Sequence, residues 1–226
     1  MSEQALMPEG PVRELMRRLP VVDMDVPDFQ PDLAPADPVT LFIEWFAAAI
    51  AAGVLEPHAM SLATADADGR PSSRVLICKD VEADGRWLFA SSSTSPKGRQ
   101  LAAQPHAALG FYWPRQGRQI RIRGEVTPVS AERSAADFLA RSPGSRAETL
   151  AGRQSDVLAD AAAQQAAIAD SQERIAAEPR VVAPTWTLYG LLADEAEFWQ
   201  FDQDRQHIRL RYRRDNREWI RERLWS

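Results

Sequence analysis

AALGFYWPRQGRQIRIRGEVTPV, residues 107–129, reads as two β-strands around a Pro114-Arg115-Gln116-Gly117 turn. More strands flank this hairpin. MSLATAD and SRVLICKDV are short β-rich runs separated by Ala67-Asp68-Gly69-Arg70, and Asp84-Gly85 precedes RWLFASS; both breaks carry an Asp-Gly turn signal. TWTLYGLLA, AEFWQF, HIRLRYRR and EWIRERL bring strands back at the C-terminal end. Helices sit between them. Asp37-Pro38 starts one that runs through LFIEWFAAAIAAG to near Gly53, with a carboxylate to cap free N–H groups and proline in the first turn. Ser95–Gln104 (SPKGRQLAAQ) is a short helix with Pro96 in its first turn. SAERSAADFLAR opens on Ser130, with Arg133 where a capping box has an acid. VLADAAAQQAAIADSQERIAAE is a long alanine-rich helix. Residues 1–36, rich in proline and acids, read as an extended or partly disordered arm, and 37–226 as one domain. The expected fold is mainly β with flanking helices, a barrel of antiparallel strands.

Composition narrows the function. The 226 residues hold 27 basic and 32 acidic side chains, a net charge of −5, so no overall basic field recruits nucleic acid or an anionic membrane. Cys78 is the one cysteine, which excludes an internal disulfide and suits a reducing compartment. MSEQALMPEG has no basic-then-apolar leader pattern, and the apolar stretch Leu41–Leu55 is broken by Glu44 and shorter than the ~20 residues of a membrane span. A cytoplasmic protein is expected. His58, His106 and His207 lack metal-ligand spacing, so no metal is expected. Gly-x-Ser-x-Gly, Gly-x-Gly-x-x-Gly and P-loop patterns are absent.

Three stretches carry candidate chemistry. Strand periodicity sets Ile208, Leu210 and Tyr212 on one face, and Arg205, His207, Arg209 and Arg211 on the other. The second face is either a solvated strand face or a cationic wall for phosphate or carboxylate oxygens. SSRVLICK carries Arg74 and Lys79 on opposite faces, so one ligand meets both only at a bulge or a strand end. SPKGRQL sets Ser95 and Lys97 beside the free N–H groups of a helix start, a phosphate seat or simply a capped surface helix.

Taken together and in order, GRPSSRVLICK, SPKGRQLAAQP, FYWPRQGRQIRIRGEV, Arg153-Gln154-Ser155, EFWQ at Glu197–Gln200, the Arg205-x-His207-x-Arg209 run and the closing ERL resemble the pyridoxamine 5′-phosphate oxidase family. The resemblance runs from about Ala36 to Ser226. It implies a homodimeric split β-barrel that binds FMN and oxidises a small-molecule substrate with O₂, releasing H₂O₂. Arg74, Ser95 and Lys97 match positions that hold the flavin phosphate. Val75, Leu76, Ile77, Cys78 and Lys79 match the strand beside the isoalloxazine, and Ser91 and Gln119 match further flavin contacts. Gln154 and Ser155 match contacts from the second subunit, and Trp199 and Arg209 a flavin-packing pair. Lys79, Arg141 and Ser145 match a grip on the substrate phosphate, and Arg205 and His207 the pair over the substrate ring.

The chain departs from the family at several points. Pro96 stands for an arginine and Ala90 for a tyrosine at flavin positions, the N-terminal Arg-x-x-Tyr lid is missing, and TWTLYG lacks paired glycines. Asp137 replaces a tyrosine that donates to the substrate phosphate; a carboxylate there repels a phosphate dianion unless Arg141 neutralises it. VPDFQPDLAPADPVTLFIEW and the missing lid resemble the FMN oxidases of phenazine biosynthesis, whereas Lys79 and SPGSR (Ser142–Arg146) resemble the vitamin enzymes. Three functions are therefore carried forward: an oxidase of vitamin B6 phosphates, an oxidase of a reduced phenazine-type ring, and a non-catalytic flavin-binding barrel.

Overall fold

Ile120 and Ile122 are fully buried, while Gln119, Arg121 and Arg123 between and beside them are not, so the strand Arg118–Pro128 turns one face to a core and one outward. The computed structural model describes residues 11–19, 25–216 and 218–226. The opening MSEQALMPEG, where the leader was sought, lies outside them. The described residues form nine strands: β1 (Ala59–Ala65), β2 (Pro71–Ile77), β3 (Asp80–Glu82), β4 (Arg86–Ser92), β5 (His106–Trp113), β6 (Arg118–Pro128), β7 (Trp186–Gln200), β8 (Ile208–Asp215) and β9 (Glu218–Arg223). The helices are α1 (Pro11–Arg17), α2 (Pro38–Ala51), α3 (Pro96–Ala103), α4 (Ala131–Leu139), α5 (Pro143–Leu150) and α6 (Ala161–Ala177).

All ladders are antiparallel, in the order β2-β1-β5-β6-β7-β4-β3, with β8 and β9 added beyond the C-terminal half of β7. β7 is the fork. Its first half pairs with β4 and its second half with β8, while β6 runs along the other edge. Sequence punctuation suggested two strands here; the chain instead stays extended through Asp194 and absorbs the bend as a bulge against Arg123 and Gly124. Glycine is required there, because a Cβ on Gly124 would lie 2.0 Å from the Leu192 carbonyl oxygen. At the far edge the chain changes partner. The Cys78 N–H donates to His58 O (2.9 Å) on the β1 side, and the Lys79 N–H donates to Leu88 O (2.8 Å) on β4. The barrel is thereby drawn together at β2 and β4 without a continuous ladder, a split barrel.

α2 covers the barrel. Asp37 accepts from Thr40 N at 2.9 Å, the expected cap, and Phe42 packs against Trp87, Phe111 and Trp113. Within the arm, Phe29 is buried edge-on against Trp45 (5.0 Å), and Pro35 O accepts from the Tyr212 hydroxyl (2.8 Å). Two helices escaped the sequence reading. α1 lies in the proline-rich arm, and α5 is a short SPGSRAETL stretch whose Ser142 cap accepts from Ser145 N. α6 starts at the Asp160 cap, so residues 157–160 lie outside the helix. Among the described residues no helix is long and apolar enough to cross a membrane.

Cys78, where the chain crosses from β1 to β4, is half-buried, and burial pushes its thiol up to about 12, with the nearby Asp80 charge acting in the same direction. At pH 8 its thiolate fraction is on the order of a thousandfold below that of a free cysteine. Iodoacetamide should therefore label Cys78 rapidly in concentrated guanidinium chloride and hardly at all in the native protein; equal rates would show that the crossover is open.

Candidate active site

β4 ends at Ser91-Ser92, and the chain turns directly into α3. Ser95 fixes that turn: its hydroxyl donates to Ser92 O (2.7 Å) and accepts from Gly98 N (3.3 Å). A Cβ on Gly98 would lie 2.3 Å from Ser93 O, so only glycine lets the first turn of α3 sit this close to the strand end. The docking buries Lys97, whose Nζ donates to Ser95 Oγ and Gln154 Oε1, both at 3.3 Å. From β2, Arg74 turns inward and donates to Leu62 O (3.1 Å), Thr64 Oγ1 (2.6 Å) and Gln100 Oε1 (3.3 Å). Burial, and then the neighbouring Arg74 charge, hold the Lys97 ammonium below its ordinary range. Among the described residues no carboxylate pairs with either cation. Two cations, a hydroxyl pair (Ser91 Oγ to Ser95 Oγ, 3.4 Å) and a helix start thus converge without a balancing charge. A phosphate monoester fits that donor set.

Beside this corner a cleft of about 770 Å³ runs between the β2 and β4 edges and the α5–α6 side, and Leu76, Ile77, Lys79, Ser91, Gln154 and Ser155 all line it. Gln154 and Ser155, expected to come from a second subunit, thus lie in the chain's own cleft. Ser155 holds a left-handed φ of 74°, a strained conformation for a residue with a side chain. Val75 faces the other way, out of the sheet, and is 69 % exposed.

A second cationic corner closes the cleft. β2 ends at Ile77, so Lys79 lies past the strand end and reaches the cleft, which resolves the facing problem posed by alternation. The Lys79 Nζ sits 3.3 Å from Asp137 Oδ1, and the Trp186 indole N–H donates to Asp137 Oδ2 at 2.8 Å. The Arg141 guanidinium lies 4.0 Å over the Trp186 ring and donates to Ser145 O (3.2 Å), while its Nε–H is buried without a partner. Lys79 is therefore the direct counter-ion of Asp137, where sequence reasoning had looked to Arg141. Burial lowers the Arg141 pKa, against the opposing pull of Asp137 and Glu148. Trp186 was missed in the sequence, because a tryptophan opening a strand reads as core.

The remaining candidates lie elsewhere. Gln119, Trp199 and Arg209 are register partners across β6, β7 and β8, and none lines the cleft. They alternate with buried Ile120, Phe198 and Leu210, so they share the outer face. His207 packs on Trp199 (4.8 Å between centroids), and its Nδ1 accepts from Asp202 N (3.1 Å), which leaves the proton of the neutral ring on Nε2. Arg205 and His207 precede β8 instead of alternating along it, and Arg205 has φ 61°. The two arginines of the expected wall that lie on β8 are paired: Glu197 accepts from Arg209 (2.9 Å) and from Arg121, and Glu222 accepts from Arg211 (2.9 Å). Those acids lie on neighbouring strands, out of reach of a reading within one strand.

Residues 46–174 match the pyridoxamine 5′-phosphate oxidase family, and residues 186–226 match the pyridoxine 5′-phosphate oxidase C-terminal dimerisation region. Pyridoxine/pyridoxamine 5′-phosphate oxidases of Pseudomonas paraeruginosa and Azotobacter vinelandii are each 44% identical over 193 residues, covering 84% of this chain and 89% of theirs. The crystal structure of PhzG from Burkholderia lata in complex with tetrahydrophenazine-1-carboxylic acid superposes with a TM-score of 0.83 at 38% identity, covering 90% of this chain and 99% of that one. A pyridoxamine 5′-phosphate oxidase-related, FMN-binding protein from Nostoc punctiforme shares the fold, with a TM-score of 0.69 at 20% identity over 87% of this chain and all of that one. With residues 46–174 and 186–226 matched to its two regions, and with relatives 44% identical over 84% of the chain, this chain belongs to the pyridoxamine 5′-phosphate oxidase family of oxidoreductases.

Proposed function

We propose that the chain is an FMN-dependent oxidase of pyridoxine and pyridoxamine 5′-phosphates that works as a homodimer. The observation that carries this reading is the Arg74–Lys97 corner, two cations with hydroxyl and helix-start donors and no acid to balance them. Arg74, Ser95 and Lys97 would hold the FMN phosphate, with Ser91, Gln154 and Ser155 beside it and Val75 to Lys79 along the edge of the cofactor. When bound, FMN supplies hydride acceptance from the substrate carbon and reoxidation by O₂ to H₂O₂.

The protein's own groups supply orientation and charge. Lys79, Arg141 and Ser145 would anchor the substrate phosphate. Arg205 and His207 would hold the substrate ring, with His207 Nε2 available as a donor because Nδ1 is engaged by Asp202 N. In one chain Gln119, Trp199, Arg209, Arg205 and His207 sit apart from the cleft. A two-fold partner that lays this outer face over the cleft would complete both sites at once. Val75 and Tyr112 are 69% and 65% exposed on that face, an apolar surface suited to burial between subunits. The match of residues 186–226 to a dimerisation region supports the same arrangement.

A second reading, oxidation of a reduced phenazine carboxylate, is favoured by one observation. Lys79 is already paired with Asp137, which weakens the case for a phosphate dianion at that corner.

Two measurements test the assignment. The apoprotein should bind FMN far more tightly than riboflavin. Arg74→Ala removes a charge-assisted contact worth ~1.5–3 kcal/mol, so FMN affinity should fall roughly ten- to a hundredfold while riboflavin binding stays put. Equal wild-type affinities would overturn the phosphate corner. In the second assay, flavin-loaded protein should release H₂O₂ with pyridoxamine 5′-phosphate; turnover only with a dihydrophenazine carboxylate would establish the second reading.

A further inference from the structure

Asp137 does not line the cleft, yet it holds two residues that do, Lys79 through one carboxylate oxygen and Trp186 through the other. The two contacts make different demands. An indole N–H needs only an oxygen acceptor, which an amide supplies as well as a carboxylate does. The negative charge therefore serves the cations, Lys79 by direct contact and Arg141 only through space. The Asp137 side chain is 14% exposed, so its charge is screened less than a surface acid's.

The two cations of this corner are held differently. Arg141 is clamped over Trp186 and bonded to Ser145 O, so its guanidinium is fixed. Lys79 is 33% exposed on a flexible stem, and among the described residues its ion pair is with Asp137. Glu148 also lines the cleft. Against Lys79 and Arg141 the corner thus sets Asp137 and Glu148, so little net positive charge is left to receive a dianion. An arriving phosphate must draw Lys79 away from Asp137 or share it.

We propose that Asp137 is a specificity-determining residue that competes with the ligand's phosphate for Lys79, loosening the grip on phosphorylated substrate and speeding departure of phosphorylated product. The proposal rests on the reading of the cleft as the site of a B6 phosphate. It gives Asp137 a role that a tyrosine or any other neutral donor at this position would not have: the corner binds a phosphate, but with one cation shared.

The test is equilibrium dialysis of pyridoxal 5′-phosphate and of pyridoxal against the flavin-loaded dimer. The proteins are wild type, Asp137→Asn, Lys79→Met and the double variant. Asparagine keeps an acceptor for Trp186, and Asp137→Ser serves as a second neutral variant should the first fail to fold. Removing the charge should tighten pyridoxal 5′-phosphate roughly tenfold or more and slow its dissociation. Pyridoxal binding should not change, and the gain should vanish in the Lys79→Met background. Selective phosphate binding that the neutral variants fail to tighten overturns the proposal alone, as does a gain that survives Lys79→Met. If no variant, nor the wild type, prefers pyridoxal 5′-phosphate to pyridoxal, the phosphate reading of the cleft falls and takes the proposal with it.

Discussion

Arg74 and Lys97 repel one another in a partly buried corner where, among the described residues, no carboxylate pairs with either, and much of the surrounding structure exists to keep them there. Arg74 is tied to the barrel through Leu62 O, Thr64 and Gln100. Lys97 is carried in by α3, whose first turn approaches the end of β4 closely only because residue 98 is glycine. Neither placement is favourable for the bare chain, since burial and mutual repulsion both disfavour the charged forms. An anion between them reverses that sign. On the proposed reading a ligand phosphate would be both recognised and made part of the fold's stability, because whatever binds only the native state stabilises it by mass action.

The other constraint is geometric. A strand's two faces cannot both meet one ligand, and β6, β7 and β8 spend their inner faces on the core through Ile120, Phe198 and Leu210. Gln119, Trp199 and Arg209 are left in register on the outside, with Glu197 bracing Arg209 and His207 packed on Trp199. One chain therefore carries the cleft and, elsewhere, the outward row of Gln119, Trp199, Arg209 and His207. On the proposed reading the two-fold axis joins them, and catalysis is a property of the dimer.

Local chemistry was the readable part of the sequence. The Asp37 cap, the Ser95 start of α3 and the Asp-Gly turns follow from short-range rules, and strand alternation predicted that Leu210 and Tyr212 face inward. What failed was long-range. Nothing near Arg209 or Arg211 in sequence reveals Glu197 and Glu222, so a neutralised ladder looked like a possible anion wall. Asp137 lies 58 positions from Lys79 and 49 from Trp186 in sequence, and only the fold makes them partners. The family resemblance supplied the roles, and at Asp137 it supplied a mismatch that the fold then gave a partner.

The claim on which this account turns is that each flavin site is built from two chains. Mixed dimers test it directly, with Arg74→Ala in one subunit and Arg209→Ala in the other. In a shared-site dimer one site collects both defects, and the other is wholly wild type. Purified heterodimers should then bind one FMN per dimer with wild-type affinity, while each homodimeric variant binds weakly. Heterodimers that bind no better than the two single variants would place the whole site within one chain and contradict the account.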